Sequence, residues 1–279
     1  MGQRIWTLAG VVLLVGFFTA FLFFPIAEVL RGGLFTAEGT FTFVYLLEVF
    51  RNPLYLEGLR NAFLLAVCTT SVVLLLAMPL AWLADRYVFP GKKWLSAGIL
   101  LPMILPPFVG ALGMQKIFGP YGALNVFLAR LSLIELGAGP DWLGSGGFWG
   151  VVLVEALHLY PILYLNAVAA FANLDPALPE AASDLGCTGF RKFRRITLPL
   201  VMPGIFAGGT IVFIWSLTDL GTPLIFNYGR VTPVQIFNGI NEIGDNPFPY
   251  ALVIVMLAAS ASLYLLARVT VGRRSYAMA

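Results

Sequence analysis

Asn61-Ala-Phe-Leu-Leu-Ala-Val-Cys-Thr-Thr-Ser-Val-Val-Leu-Leu-Leu-Ala-Met-Pro-Leu-Ala-Trp-Leu-Ala84 is the stretch on which the fold turns. From Val72 to Leu80 it is apolar on every face, so no side of the segment is left for water. An amphipathic helix would return to polar residues every three or four positions, and a barrel strand would alternate over about ten residues. This run does neither. Its length suits a hydrocarbon core of about 30 Å, which takes about 20 helical residues to cross. In lipid each backbone N–H and C=O must find its partner inside the segment, and a helix achieves that.

Five further stretches carry the same signature, giving predicted spans near Leu8 to Leu30, Asn61 to Ala84, Trp94 to Phe118, Gly147 to Phe171, Pro199 to Phe226 and Phe248 to Leu266. Composition agrees. Hydrophobic residues make up 59% of the 279-residue chain and charged residues only 11%, against roughly 25% charged in soluble domains. The expected fold is an all-α polytopic membrane protein of about six transmembrane helices. One membrane domain over 1–279 accounts for the length, with 8–30 peripheral, 59–269 as the core and 173–198 as a structured loop. Arg4 precedes the first run as it would in a secretion signal, yet the run exceeds a usual signal core and no small-x-small cleavage site follows, so a retained span is expected.

Basic residues set the expected orientation, because positively charged loops stay on the cytoplasmic side. With the N-terminus inside, Arg4, Arg86, Lys92, Lys93, Arg191, Lys192, Arg194, Arg195, Arg268, Arg273 and Arg274 fall inside, and Arg31, Arg51, Arg60, Lys116, Arg130 and Arg230 outside. Both termini are therefore expected in the cytoplasm. A net charge of +3 belongs to loops at a membrane surface and gives no reason to invoke nucleic acid. Cys68 and Cys187 have neither metal-ligand spacing nor an oxidising setting for pairing. Apolar residues at helical spacing in Phe41 to Phe50 and Ala123 to Leu136 predict short interfacial helices.

The loop between the fourth and fifth spans is Asn173-Leu-Asp-Pro-Ala-Leu-Pro-Glu-Ala-Ala-Ser-Asp-Leu-Gly-Cys-Thr-Gly-Phe-Arg-Lys-Phe-Arg-Arg-Ile-Thr-Leu-Pro-Leu200. Asp175 is a good N-cap with Pro176 at the first helical position, and Glu180 and Asp184 come next on that helix. Gly186 can close it in a left-handed turn. Thr188 can cap a second helix, rich in arginine, before Pro199 starts the fifth span. A short helix facing the cytosol is the expectation.

Glu180-Ala181-Ala182, three residues, Gly186, nine residues, then Ile196-x-Leu198-Pro199 matches the EAA loop of bacterial ABC importer permeases at every position. The chain thus resembles a permease subunit of a binding-protein-dependent importer, of the type I (MetI-like) permease fold. The resemblance implies that Glu180, Ala181, Ala182, Ser183, Asp184, Gly186, Ile196, Leu198 and Pro199 form a coupling helix and its flank, docked on a separate ABC ATPase subunit. It also implies a second permease chain, identical or homologous, an extracytoplasmic solute-binding protein, and a bacterial inner membrane. The residues themselves contain no Gly-x4-Gly-Lys-Ser/Thr loop: Gly91-Lys92 has Arg86 in place of the upstream glycine and Lys93 after the lysine. No ATPase activity and no cofactor are therefore expected on this chain; ATP and magnesium belong to the partner.

Ionisable groups inside spans are functional candidates because hydrocarbon penalises them. Asp219, in Ser216-Leu-Thr-Asp-Leu-Gly-Thr-Pro223, is a candidate pathway or gate residue with Thr218, Gly221 and Thr222, where Gly221 and Pro223 loosen the helix. Glu155 and His158, at i and i+3, share a face and are expected to neutralise one another, and they are further candidates for the pathway lining near Tyr160 and Asn166; two ligands on one helix make no complete metal site. Leu101-Pro-Met-Ile-Leu-Pro-Pro-Phe-Val-Gly110 loses three backbone donors to proline, so the third span should kink or break. Gly204 and Gly208 suit close approach of a neighbouring helix.

Thr218 to Phe226, Pro102 to Pro107 and Phe118 to Gly122 look like the iron(III), phosphonate and polyamine permeases, although carbohydrate permeases share the EAA loop. Two other classes compete. A stand-alone ion-coupled carrier would use Glu155, His158 and Asp219 as relays. An intramembrane hydrolase would use Ser145, within Gly144-Ser145-Gly146, with His158 about two to three helical turns deeper.

Overall fold

The computed structural model describes residues 2–135, 137, 139–143, 147–242 and 246–272. Ser145 with its flanking glycines, Leu136, and Arg273 and Arg274 lie outside them. Among the described residues five helices are long and apolar enough to cross a membrane, or six when one bent pair is taken as a single span. No strand accompanies them beyond an isolated bridge between Phe35 and Phe41.

The first helix, α1 (Trp6–Leu34), buries nothing along its most apolar window. Its last residues lean on the final helix: a side chain at Gly33 would meet backbone of Tyr250 and Ala251 at 3.1 Å. The short α2 (Val44–Arg51) precedes α3 (Pro53–Arg86), whose Asn52 accepts from the Leu54 N–H at 2.9 Å, a side-chain N-cap ahead of Pro53.

The third predicted span is broken. Helix α4 (Lys92–Leu100) runs into a tight 3₁₀ turn at Leu101–Ile104, and α5 (Pro107–Phe118) leaves at 100° to it. Proline chemistry explains the break. Leu105 and Pro106 each precede a proline, which disfavours helical ψ, and their ψ values are 135° and 140°. After α5 come α6 (Ala123–Arg130) and the fourth span α7 (Phe148–Ala172).

Helix α8 (Ala177–Asp184) crosses the end of the bundle. The fifth span, α9 (Gly189–Thr218), starts ten residues earlier than Pro199, where the sequence placed it. It also stops earlier, at Thr218, so Asp219 to Phe226 is not membrane-spanning helix but a break followed by the short α10 (Gly221–Ile225). Helices α11 (Thr232–Ile240) and α12 (Phe248–Gly272) complete the described chain. Both stretches in which the sequence predicts short interfacial helices do contain a helix, α2 and α6, each shorter than its apolar stretch.

The packed centre is α3, α7 and α9. Small residues on α3 allow it: Ala62, Ala66, Ala77 and Ala81 are buried facing Val151, Leu159 and Leu163 of α7. Close contact of α7 with α9 depends on Gly204 and Gly208. A Cβ on Gly204 would sit 2.5 Å from the Ala170 Cβ, and one on Gly208 2.8 Å from the Asn166 Cβ.

Candidate functional site

Two regions hold most of the residues that the sequence singled out, one at each end of α9, and Glu155 and His158 lie apart from them on α7. At the loop end, α8 begins as the sequence proposes but one residue later. Asp175 Oδ1 accepts from the Ala177 N–H at 2.9 Å, while Pro176 occupies the N-cap position with no side-chain bond to give. Gly186 closes the helix with φ +80°, and the Cys187 N–H reaches back to the Ala182 carbonyl at 2.9 Å. That left-handed turn is one glycine adopts without steric cost. Thr188 stands at the N-cap of α9, yet its hydroxyl makes no capping bond.

Of α8 only Ala182 is buried. Leu178, Ala181 and Leu185, at i, i+3 and i+7, share a face and are exposed, Leu185 to 88%. Glu180 and Asp184 are exposed beside them. The helix is tied back through one side chain: Lys192 Nζ donates to Ser183 Oγ at 2.8 Å, and that hydroxyl donates to the Pro179 carbonyl at 2.8 Å. Sequence reasoning missed Lys192, which it counted only as a cytoplasmic charge, and Leu178 and Leu185. Apolar side chains at solvent positions of an otherwise polar loop were the signal that could have found them. Ile196 and Leu198 are half-buried and Pro199 is exposed. Behind α8 a cavity of about 890 Å³ opens against Trp82, Asp85 and Arg86 of α3.

At the opposite end, Asp219 terminates α9 and caps α10. Its Oδ1 accepts from the Gly221 N–H and its Oδ2 from the Thr222 N–H, both at 3.1 Å. Thr218 turns back on its own helix, donating to the Ile214 carbonyl at 2.9 Å. Thr222 is buried. Gly221 comes close to the broken span, since a Cβ there would lie 3.5 Å from the Phe108 Cβ. Asp219, Thr218, Gly221 and Thr222 are therefore one local unit, wedged against α5.

Glu155 and His158 do not neutralise one another. Glu155 Oε2 accepts from Thr69 Oγ1 of α3 at 3.1 Å and from Ser216 Oγ of α9, and Oε1 has no partner. The His158 ring lies instead 6.5 Å from the Trp215 ring, with the Pro102 carbonyl within hydrogen-bonding reach. Residues three apart share a helix face, but here that face is pressed on two other helices, whose hydroxyls are the partners Glu155 takes. Among the described residues no group of three potential metal ligands comes together.

Between α3, α9 and α12 runs an apolar groove of about 590 Å³, lined by Phe63, Thr70, Leu74, Met202, Phe206 and Phe213 among others.

Residues 74–275 match the family described as binding-protein-dependent transport system inner membrane component. A probable molybdenum ABC transporter permease protein of Haloferax volcanii is 33% identical over 214 residues, covering 76% of this chain and 75% of that one. The sulfate transport system permease protein CysT of Salmonella typhimurium is 30% identical over 76% of this chain and 75% of its own length. In structure, a bacterial alginate ABC transporter solved with an alginate pentasaccharide-bound periplasmic protein superposes with a TM-score of 0.73 at 18% identity, over 98% of this chain and 96% of that one. That likeness shows the fold. The matched segment holds the whole α7–α8–α9 unit, Glu180 to Pro199 included, and the chain belongs to the ABC importer permeases, the inner-membrane components of binding-protein-dependent transport systems.

Proposed function

We propose that this permease forms half of a translocation pathway, completed by a second permease chain, and that α8 is the lever by which a separate ATPase drives it. The observation that carries the reading is the exposed stripe Leu178, Ala181 and Leu185 beside Glu180. Apolar side chains held in water on a short helix suit a partner groove, and Ala182 with the Lys192–Ser183 bond fixes the helix to the bundle from behind. A push on α8 reaches α9 directly, because α9 is continuous from Gly189 to Thr218. In this reading ATP and magnesium stay on the ATPase, the loop end faces the cytoplasm with both termini, and a binding protein delivers the solute at the Asp219 end.

For cargo we infer a small charged solute. Relatives named for molybdenum, sulfate, ferric and spermidine/putrescine transport align over 76% to 88% of the chain, whereas the alginate systems match at 18% to 19% identity, in fold alone. The experiment is reconstitution of this permease in vesicles with its candidate ATPase and binding protein, offering molybdate, sulfate, ferric iron, phosphonate, spermidine and maltose. ATP-dependent uptake of one charged solute is the expected result. Maltose uptake alone would move the cargo to sugars, and gradient-driven uptake with no ATPase present would favour a stand-alone ion-coupled carrier.

Asp219 provides a sharper test at the other end. Asp219→Ala frees two backbone N–H groups at the start of α10, and a lost cap costs about 1 kcal/mol, or roughly a five-fold shift in an equilibrium. Uptake is expected to fall several-fold while membrane yield holds. Asp219→Asn keeps one acceptor oxygen and should land between. A fall in yield alone would make the residue structural.

A further inference from the structure

Glu155 is 3% exposed and sits where the bundle changes character. On one side of it Ala62, Leu65 and Ala66 of α3, Val151 and Val154 of α7 and Leu217 of α9 share one apolar cluster. On the other side Val73 and Ala77 of α3, Ala156 and Leu159 of α7 and Val212 of α9 share a second. Between the two lies one polar layer, Thr69, Glu155 and Ser216, with one member from each of the three central helices. Both hydroxyls donate to the same carboxyl oxygen. An apolar residue of similar size would pack here without any bond to satisfy, whereas this arrangement leaves Glu155 Oε1 buried and unpartnered. A fixed point is what the layer supplies: hydrocarbon contacts tolerate sliding, and a two-donor hydrogen bond to one oxygen does not.

Helix α9 is the element that this point holds. It carries α8 at one end and the Asp219 break at the other, and Ser216 lies one turn before that break. Resting on the reading of the chain as an ATP-driven half-pathway, we propose that Glu155 is a positioning residue, the pivot that sets the register of α9 against α3 and α7 so that movement of α8 arrives at Thr218 to Pro223. Glu155 acts through Ser216 and Thr69 and need not touch the solute. With the pivot intact, displacement of one end of α9 becomes displacement of the other. With it removed, the ends move independently, and ATP turnover runs without import.

The readout is therefore the number of ATP molecules hydrolysed per solute imported, measured on the reconstituted complex. Glu155→Leu is expected to raise that number about five-fold or more, the lower end of the range for coupling between distant sites. Ser216→Ala, a smaller deletion that leaves the carboxyl one donor, should raise it less and serves if the leucine variant fails to assemble. Glu155→Gln retains an acceptor oxygen for both hydroxyls and should return the number toward wild type. A residue that merely held the fold together would lower hydrolysis and import in step, leaving the ratio unchanged in Glu155→Leu and Ser216→Ala, and that result overturns the pivot. A second measurement needs no partner: spin labels at the exposed Leu64 of α3 and Ile211 of α9, in the full chain in lipid nanodiscs. Their separation should shift or broaden in Glu155→Leu and stay put in Glu155→Gln; an unchanged separation in the leucine variant also overturns the pivot. Should the wild-type complex show no ATP-driven uptake, the half-pathway reading fails, and the label separation still decides whether Glu155 sets the register.

Discussion

Gly208→Leu is expected to yield almost no folded permease, while a substitution at the very next residue passes unnoticed. At Gly208 the first added carbon would already lie 2.8 Å from the Asn166 Cβ and 2.9 Å from Leu163 Cδ1. Leucine adds three more carbons in the same direction. Asn166 cannot swing aside freely, since its Nδ2 donates to the Ile162 carbonyl at 2.8 Å, and Leu163 is wholly buried. Forcing extra carbons into a packed interior costs about 1 to 3 kcal/mol, and here the obstruction parts α7 from α9, two of the three central helices. A Cβ on Gly209 meets nothing within 4 Å, so Gly209→Ala should be neutral for folding. Detergent-extracted yield and a monodisperse elution profile separate the two; equal profiles for Gly208→Leu and wild type would show that α7 and α9 do not pack through this glycine.

The contrast between those neighbouring glycines marks what a sequence can and cannot disclose. Spans were legible because the bilayer imposes one requirement on every segment, internal pairing of the backbone, and continuous apolarity is its consequence. Gly204 and Gly208 were legible as a pair for the same reason: helices in lipid approach through small residues. Partner choice was not. The spacing of Glu155 and His158 suggests a pair on α7, yet Glu155 is bonded by residues 86 positions earlier and 61 later. Periodicity reports the face of one helix and says nothing of which hydroxyls the other helices present to it.

The ends of the fifth span were misplaced for a local reason. Pro199 reads as a helix start, because a proline inside a helix lacks its N–H and its ring strikes the carbonyl four residues back. In the structure the turn before it, Phe193–Thr197, is a π-helix, and the Leu198 N–H bonds the Phe193 carbonyl five residues back. That wider turn makes room for the proline ring and lets the helix run on from Gly189. A single-turn π-helix leaves no compositional mark. At the other end, Gly221 and Pro223 were recognised as loosening the helix. What sequence could not give was that Asp219 itself ends α9 and uses both carboxylate oxygens on the N–H groups of Gly221 and Thr222.

Glu180→Arg and Gly186→Lys should each reduce ATP-driven import to background without loss of membrane-inserted protein. Both residues lie outside the candidate membrane spans, on α8 and its closing turn, so neither substitution touches the packing of α3, α7 and α9. Glu180 is exposed in the first turn of α8, where an acid faces the positive helix end and an arginine opposes it; the reversed charge is also presented to the ATPase groove proposed for Leu178, Ala181 and Leu185. Gly186 acts differently. Nothing lies within 4 Å of an added Cβ, so the penalty is conformational: a left-handed backbone costs an L-residue about 1 to 2 kcal/mol. Relieving that strain means giving up the turn that returns Cys187 to Ala182, which moves α8 relative to α9. Asparagine tolerates this conformation far better than lysine, so Gly186→Asn should keep most activity, a distinction that a simple requirement for space would not produce. Co-purification with the ATPase, vesicle uptake and surface-labelled yield are the measurements. Retained ATPase and normal uptake in both Glu180→Arg and Gly186→Lys would mean that α8 is a connector only, and that force enters this bundle somewhere else.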